Sequence, residues 1–135
     1  MKIKPKIGLI SCSGEGLPEG MISRVGTRRI LEERDDVVTI CLPLFLAGGQ
    51  EERDFAKNNP CITVDGCDKM CAAKGVKIYG KVHPKSSIVI SEITKKGKHS
   101  RPTSKSRIEP EDEKLVNETM KIVNKEIEKV KEKEK

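Results

Sequence analysis

Cys12, Cys41, Cys67 and Cys71 are the residues of this chain whose type and spacing could do chemistry. Thiolates bind soft metal ions and attack electrophiles, and four of them gathered at one point would form a tetrahedral sulfur site. Cys67 and Cys71 are four residues apart, so on a helix they would share one face, with Cβ atoms about 5–6 Å apart. That separation suits two thiolates on one zinc ion, each about 2.3 Å from it. Cys12 and Cys41 are distant in sequence, so their joining the pair depends on the elements that carry them. For each thiol the alternative is packing as a small buried hydrophobe.

Those elements read as alternating strands and helices. Lys6 to Ser11 is a short apolar run, fit for a strand buried on both faces, and Cys12-Ser13-Gly14-Glu15-Gly16 is a loop. Pro18 suits the first turn of a helix reaching about Glu33, with Ile22, Val25, Gly26 and Ile30 inward. Val37 to Ile40 is a second strand, which Cys41-Leu42-Pro43 ends, and a brief helix spans about Gln50 to Lys57. Cys61 to Asp65 is a third strand, Asp68 to Lys74 reads as a helix closed by Gly75, and Ser87 to Ser91 is a fourth strand.

This alternation predicts an α/β fold, a small Rossmann-like three-layer domain. It has a mostly parallel sheet of about four strands, helices on both faces and a long C-terminal helix. In such a sheet the strand ends share one edge, outside which ligands bind. Cys12, Cys41 and Cys67 each follow a strand, so they are expected at that edge together with Cys71. Cys61 begins its strand, roughly 13 Å from Asp65 at about 3.3 Å per residue, and is expected at the opposite end, beyond disulfide reach. Asp65 can accept N–H bonds from the following turn and so hold Cys67, while Gly66 permits a sharp turn there. Ser11 and Ser13 flank Cys12 as supporting hydroxyls.

The 135 residues are expected to form a single domain. It comprises a cysteine-bearing core over 6–93, a basic loop over 94–109 and an amphipathic helix over 110–135. In that helix Val116, Met120, Val123, Ile127 and Val130 form one apolar seam, expected to cover the sheet. Hydrophobic residues make up 35% and charged residues 36%, with aromatics at 2%, so the core must rest on aliphatic side chains. The start of the chain lacks a signal-peptide pattern, and no apolar run approaches membrane-span length. A cytoplasmic protein is expected, in which five cysteines serve metal or redox chemistry rather than disulfides.

Other chemistry fits less well. The loop after Cys12 lacks the spacing of a P-loop or a dinucleotide fingerprint, and Pro18 stands where a cysteine phosphatase needs arginine. His83 precedes the fourth strand, at the wrong edge for a Cys–His pair, and His99 lies in the basic loop. The net charge of +6 permits weak attraction to polyanions. The loop's Lys95, Lys96, Lys98, Arg101, Lys105 and Arg107 have no aromatic stacking platform beside them, so nucleic acid is not the expected partner.

Ser11-Cys12-Ser13-Gly14, Ile40-Cys41-Leu42 and Val64-Asp65-Gly66-Cys67 with Cys71 resemble the DGC-domain family of zinc-binding proteins. The family's name matches Asp65-Gly66-Cys67, and the likeness runs from about Lys6 to Ile93. The resemblance implies four chelating cysteines, mapping onto Cys12, Cys41, Cys67 and Cys71. Zinc is then the expected ion, with an iron–sulfur cluster and copper(I) as other ions that four thiolates suit. The site's role is structural or in metal and thiol handling, with a protein partner as recipient. The alternative is a redox or thiol-transfer enzyme using Cys67 or Cys12 as nucleophile. A weaker alternative is a partner- or nucleic-acid-binding module acting through the basic arm.

Overall fold

The computed structural model of the chain describes residues 6–12, 16–95 and 101–134. The elements follow in the order β1 (Ile7–Ser11), α1 (Pro18–Glu33), β2 (Val37–Thr39), α2 (Leu42–Leu46) and α3 (Gln50–Asn58). Then come β3 (Cys61–Asp65), α4 (Cys71–Gly80), β4 (Ser86–Val89), α5 (Ile90–Lys95), a 3-10 turn (Pro110–Asp112) and α6 (Glu113–Lys133). The four strands form one all-parallel sheet in the order β2-β1-β3-β4.

Strand side chains alternate between two apolar layers, as the two-residue period of a strand requires. Ile7, Leu9, Ile62 and Val64 join α1 and α6 on one face. Ile10, Ile40 and Cys61 join Leu42 and Phe45 of α2, Ala56 of α3 and Val76 of α4 on the other. The α/β three-layer architecture is as the alternation predicts. The seam of α6 packs inward alongside α1, with Val116, Val123 and Ile127 fully buried. Burying each such side chain contributes about 1.5–3 kcal/mol. At its rim Arg29 pairs with Glu113, and Arg34 and Lys131 converge on Asp36.

This topology fixes where a ligand crevice opens. From β1 the chain crosses outward through α1 to β2, whereas from β3 it crosses the other way through α4 to β4. The two helices lie on opposite faces, as right-handed crossovers in opposite directions demand. The order therefore reverses between β1 and β3, and the crevice lies outside their carboxyl ends, at Cys12 and at Gly66-Cys67.

Several boundaries differ from the expectation. Asp68 to Met70 is a turn, and α4 begins only at Cys71, after Met70 adopts a left-handed conformation with φ 52°. Gly75 is therefore inside α4 and not its cap. It is small because α2 presses on it: a Cβ there would stand 2.8 Å from Leu46 Cδ2. β4 stops at Val89, and Ile90 and Ser91 open α5.

Candidate functional site

Cys12 directly follows β1, and its N–H donates to Val64 O at 3.0 Å, so the β1–β3 ladder runs one residue past the strand. Its half-buried Sγ accepts the Gly66 N–H at 3.3 Å. Sγ also lies 3.3 Å from Ser23 Oγ on α1. The Ser23 hydroxyl donates its proton to Gly20 O at 2.7 Å, so in the neutral state Cys12 donates S–H to Ser23. A Cys12 thiolate would keep the Gly66 N–H and could draw the Ser23 proton away from Gly20. Ser23 has no local signal in the sequence, because only the packing of α1 against the end of β1 brings it to Cys12.

Gly66 is held from three sides. Its N–H meets Cys12, its carbonyl accepts the Ser91 N–H at 3.1 Å, and the first turn of α1 passes directly against its Cα. A Cβ there would lie 2.6 Å from Gly20 N and 2.9 Å from the Glu19 carbonyl carbon. The glycine is thus required by the close approach of another backbone, rather than by the sharp turn expected from sequence.

Cys67 follows in the turn, half-buried, with its carbonyl accepting the Met70 N–H at 3.1 Å. Cys71 is exposed at the first position of α4. The two thiols therefore do not share a helix face, because the turn and the left-handed Met70 separate them. Asp65 is buried, and its carboxylate accepts Ala72 N–H at 2.8 Å and Ala73 N–H at 3.2 Å. It fixes the start of α4, and so Cys71, rather than Cys67 as expected from sequence. Burial pushes the Asp65 carboxyl above its ordinary range, with the two N–H bonds pulling the other way.

Cys41 stands two residues beyond β2, exposed, as the cap residue before α2. It lines a cleft of about 860 Å³ together with Ser11, Cys12 and Thr39 from the strand ends, Arg24 and Arg28 from α1, and Leu42. Cys12 and Cys41 thus open on one space, while Cys12 and the Cys67 turn are joined by the Gly66 bond. Ser13 lies outside the described residues, and Ser11 ends β1. Among the described residues, no three Cys, His, Asp or Glu side chains stand in an arrangement that would hold a metal ion.

Cys61 lies where expected, buried at the start of β3 and paired in register with Gly8. Burial pushes its thiol up to about 12, against a smaller pull from Gly8. His83 is exposed in the loop before β4. The basic segment is not wholly free: Arg101 pairs at 3.0 Å with Glu19, whose side chain is 4% exposed, and Pro102 is buried. Residues 96–100 lie outside the description. No helix among the described residues is long and apolar enough to cross a membrane.

Comparison with curated proteins and with solved structures gives no match. The model of the DGC domain matches residues 8–133, so the likeness extends beyond the cysteine-bearing core to the basic segment and α6. Covering nearly the whole length, that match establishes that the chain belongs to the DGC-domain family.

Proposed function

We propose that this DGC-domain chain binds a soft metal ion through thiolates at the carboxyl edge of its sheet, with zinc as the foremost candidate and Cys12, Cys41, Cys67 and Cys71 as donors. The observation that carries the reading is the Gly66 N–H bond to Cys12 Sγ. It ties the thiol after β1 to the turn bearing Cys67 at the point where the strand order reverses. Cys41 opens on the same cleft as Cys12, and Asp65 fixes the helix start that bears Cys71. All five cysteines are unpaired, which suits a reducing cytoplasm. The donor set is soft and largely accessible, so it fits zinc, copper(I) or an iron–sulfur cluster. Bound metal would supply charge that keeps the thiols ionised, and the side chains would draw together on binding, coupling metal to local order.

Elemental analysis of protein purified without added metal tests this. About one equivalent of metal, lost in Cys67→Ser and Cys12→Ser but retained in Cys61→Ser, is the expected outcome. Folded, metal-free wild-type protein that also fails to take up zinc would refute it.

A thiol-transfer role is the second reading, favoured by the same Gly66 N–H and by Ser23, which both lie within hydrogen-bond reach of Cys12 Sγ. It requires one cysteine of metal-free protein to be alkylated far faster than the others. The basic arm is the weakest basis for a function, since Glu19 and Glu109 engage Arg101 and Arg107.

A further inference from the structure

The cleft shared by Cys12 and Cys41 has a second chemical character that the metal reading does not use. Arg24 and Arg28 stand one turn apart on α1 and line it, both exposed. Among the described residues every other arginine is engaged. Arg29 binds Glu113, Arg34 binds Asp36, Arg53 donates to the Phe45 carbonyl, Arg101 binds Glu19 and Arg107 binds Glu109. Arg24 and Arg28 have neither an ion pair nor a hydrogen bond there. Glu32 and Glu52 also line the cleft and face the two arginines there, while Arg29, a third lining arginine, is taken by Glu113. Met21, Val25, Leu42 and Pro43 supply apolar wall. A volume of about 860 Å³ suits a small organic molecule, for which sites run roughly 300–1,000 Å³.

We propose that this cleft binds a small carboxylate-bearing thiol or its disulfide, with carboxylates on Arg24 and Arg28 and sulfur directed to Cys12 and Cys41. Guanidinium groups match carboxylates in two-point contact, and the thiols of the same cleft are the groups that exchange with sulfur. The inference rests on the reading of the cysteines as chemically active and names the small molecule with which that site would trade thiolate ligands. With a disulfide the step is balanced without further reagents. A Cys12 or Cys41 thiolate attacks one sulfur, the ligand's S–S bond breaks, a mixed disulfide forms on the protein, and the other half leaves as a thiolate.

The test uses reduced, metal-free full-length protein and two probes of opposite charge, glutathione disulfide (anionic) and cystamine (cationic). Mass spectrometry follows the rate and position of modification. The expected result is modification at Cys12 or Cys41, at least tenfold faster with the anionic probe. In Arg24→Gln/Arg28→Gln that preference falls at least fivefold. A charge-matched control on α6, Lys121→Gln/Lys125→Gln, keeps it, separating local recognition from attraction by the net charge. Equal rates for the two probes, an equal fall in the control, or modification confined to Cys67 and Cys71 would each overturn the proposal. Metal plays no part in this assay, so its failure leaves the elemental analysis standing, and the converse holds as well.

Discussion

Gly66 lies against Gly20 so closely that a Cβ on Gly66 would stand 2.6 Å from the Gly20 nitrogen. The obstructing atoms are backbone, so no rotamer change relieves them. Gly66→Ala must push the turn after β3 away from α1, stretching the bond to Cys12 Sγ. We expect a loss of about 1–3 kcal/mol in stability, measured by denaturant unfolding, and, under the proposed metal reading, reduced metal loading as well. Gly75→Ala serves as the comparison. It meets the tip of Leu46, a side chain that can turn aside, and should leave the Gly66 turn, and with it the proposed site, undisturbed.

Asp65 acts on α4 through Ala72 and Ala73. Asp65→Ala leaves two buried N–H groups without acceptors and should cost about 1–3 kcal/mol. Asp65→Asn retains one acceptor oxygen and removes the burial penalty on charge, so it should be the milder change. Hydrogen exchange at Ala72 and Ala73 reads the effect directly: the alanine variant should lose protection at both amides of α4, with the sheet unaltered.

The five thiols should alkylate in an order set by exposure. Cys41 and Cys71 come first, Cys12 and Cys67 follow, and Cys61 reacts only on unfolding. With its thiol raised to about 12, Cys61 is almost wholly neutral at pH 8 as well as covered. Timed iodoacetamide labelling with peptide mapping checks this. Early labelling of Cys61 in native protein would contradict its place beneath α3.

Asp36 receives Arg34 Nε at 2.8 Å and Lys131 Nζ at 2.8 Å, and the Arg34 bond is the chief reason its carboxyl titrates well below the ordinary range. A carboxyl lowered in the folded state adds stability that is complete above its unfolded value, near 4, and is lost as pH falls through the folded value. Asp36→Asn should therefore cost about 1–2 kcal/mol at pH 7. The gap from wild type should narrow below about pH 4. Urea unfolding of both proteins at pH 7 and pH 3 provides the comparison.

The fold was legible where local pattern and burial agree. Ile7 to Ser11 and Cys61 to Asp65 are apolar runs too short for helices, and Pro18 marks the start of α1. Legibility failed where distant packing overrides local signals. Gly75 looks like a helix stop, yet it is small to accommodate Leu46. Ile88-Val89-Ile90 reads as one strand, because an unbroken apolar run does not mark the point where a strand gives way to a helix. Sequence alone ties Asp65 and Gly66 to the adjacent turn, whereas their partners are Ala72 and Ala73 of α4 and, from α1, Gly20. Ser23 carries no local signal, because it meets Cys12 only once α1 has docked.

The pairing of Glu19 with Arg101 links the opening turn of α1 to a residue 82 positions later. Glu19 is almost fully enclosed, whereas Arg101 remains 73% exposed, so solvent salt and proteases reach this bond from one side only. Loss of the guanidinium, as in Arg101→Gln, would leave the Glu19 carboxylate enclosed without its partner. Through this pair the chain's last quarter is pinned to the same turn of α1 whose backbone abuts Gly66, the residue that hydrogen-bonds the Cys12 sulfur.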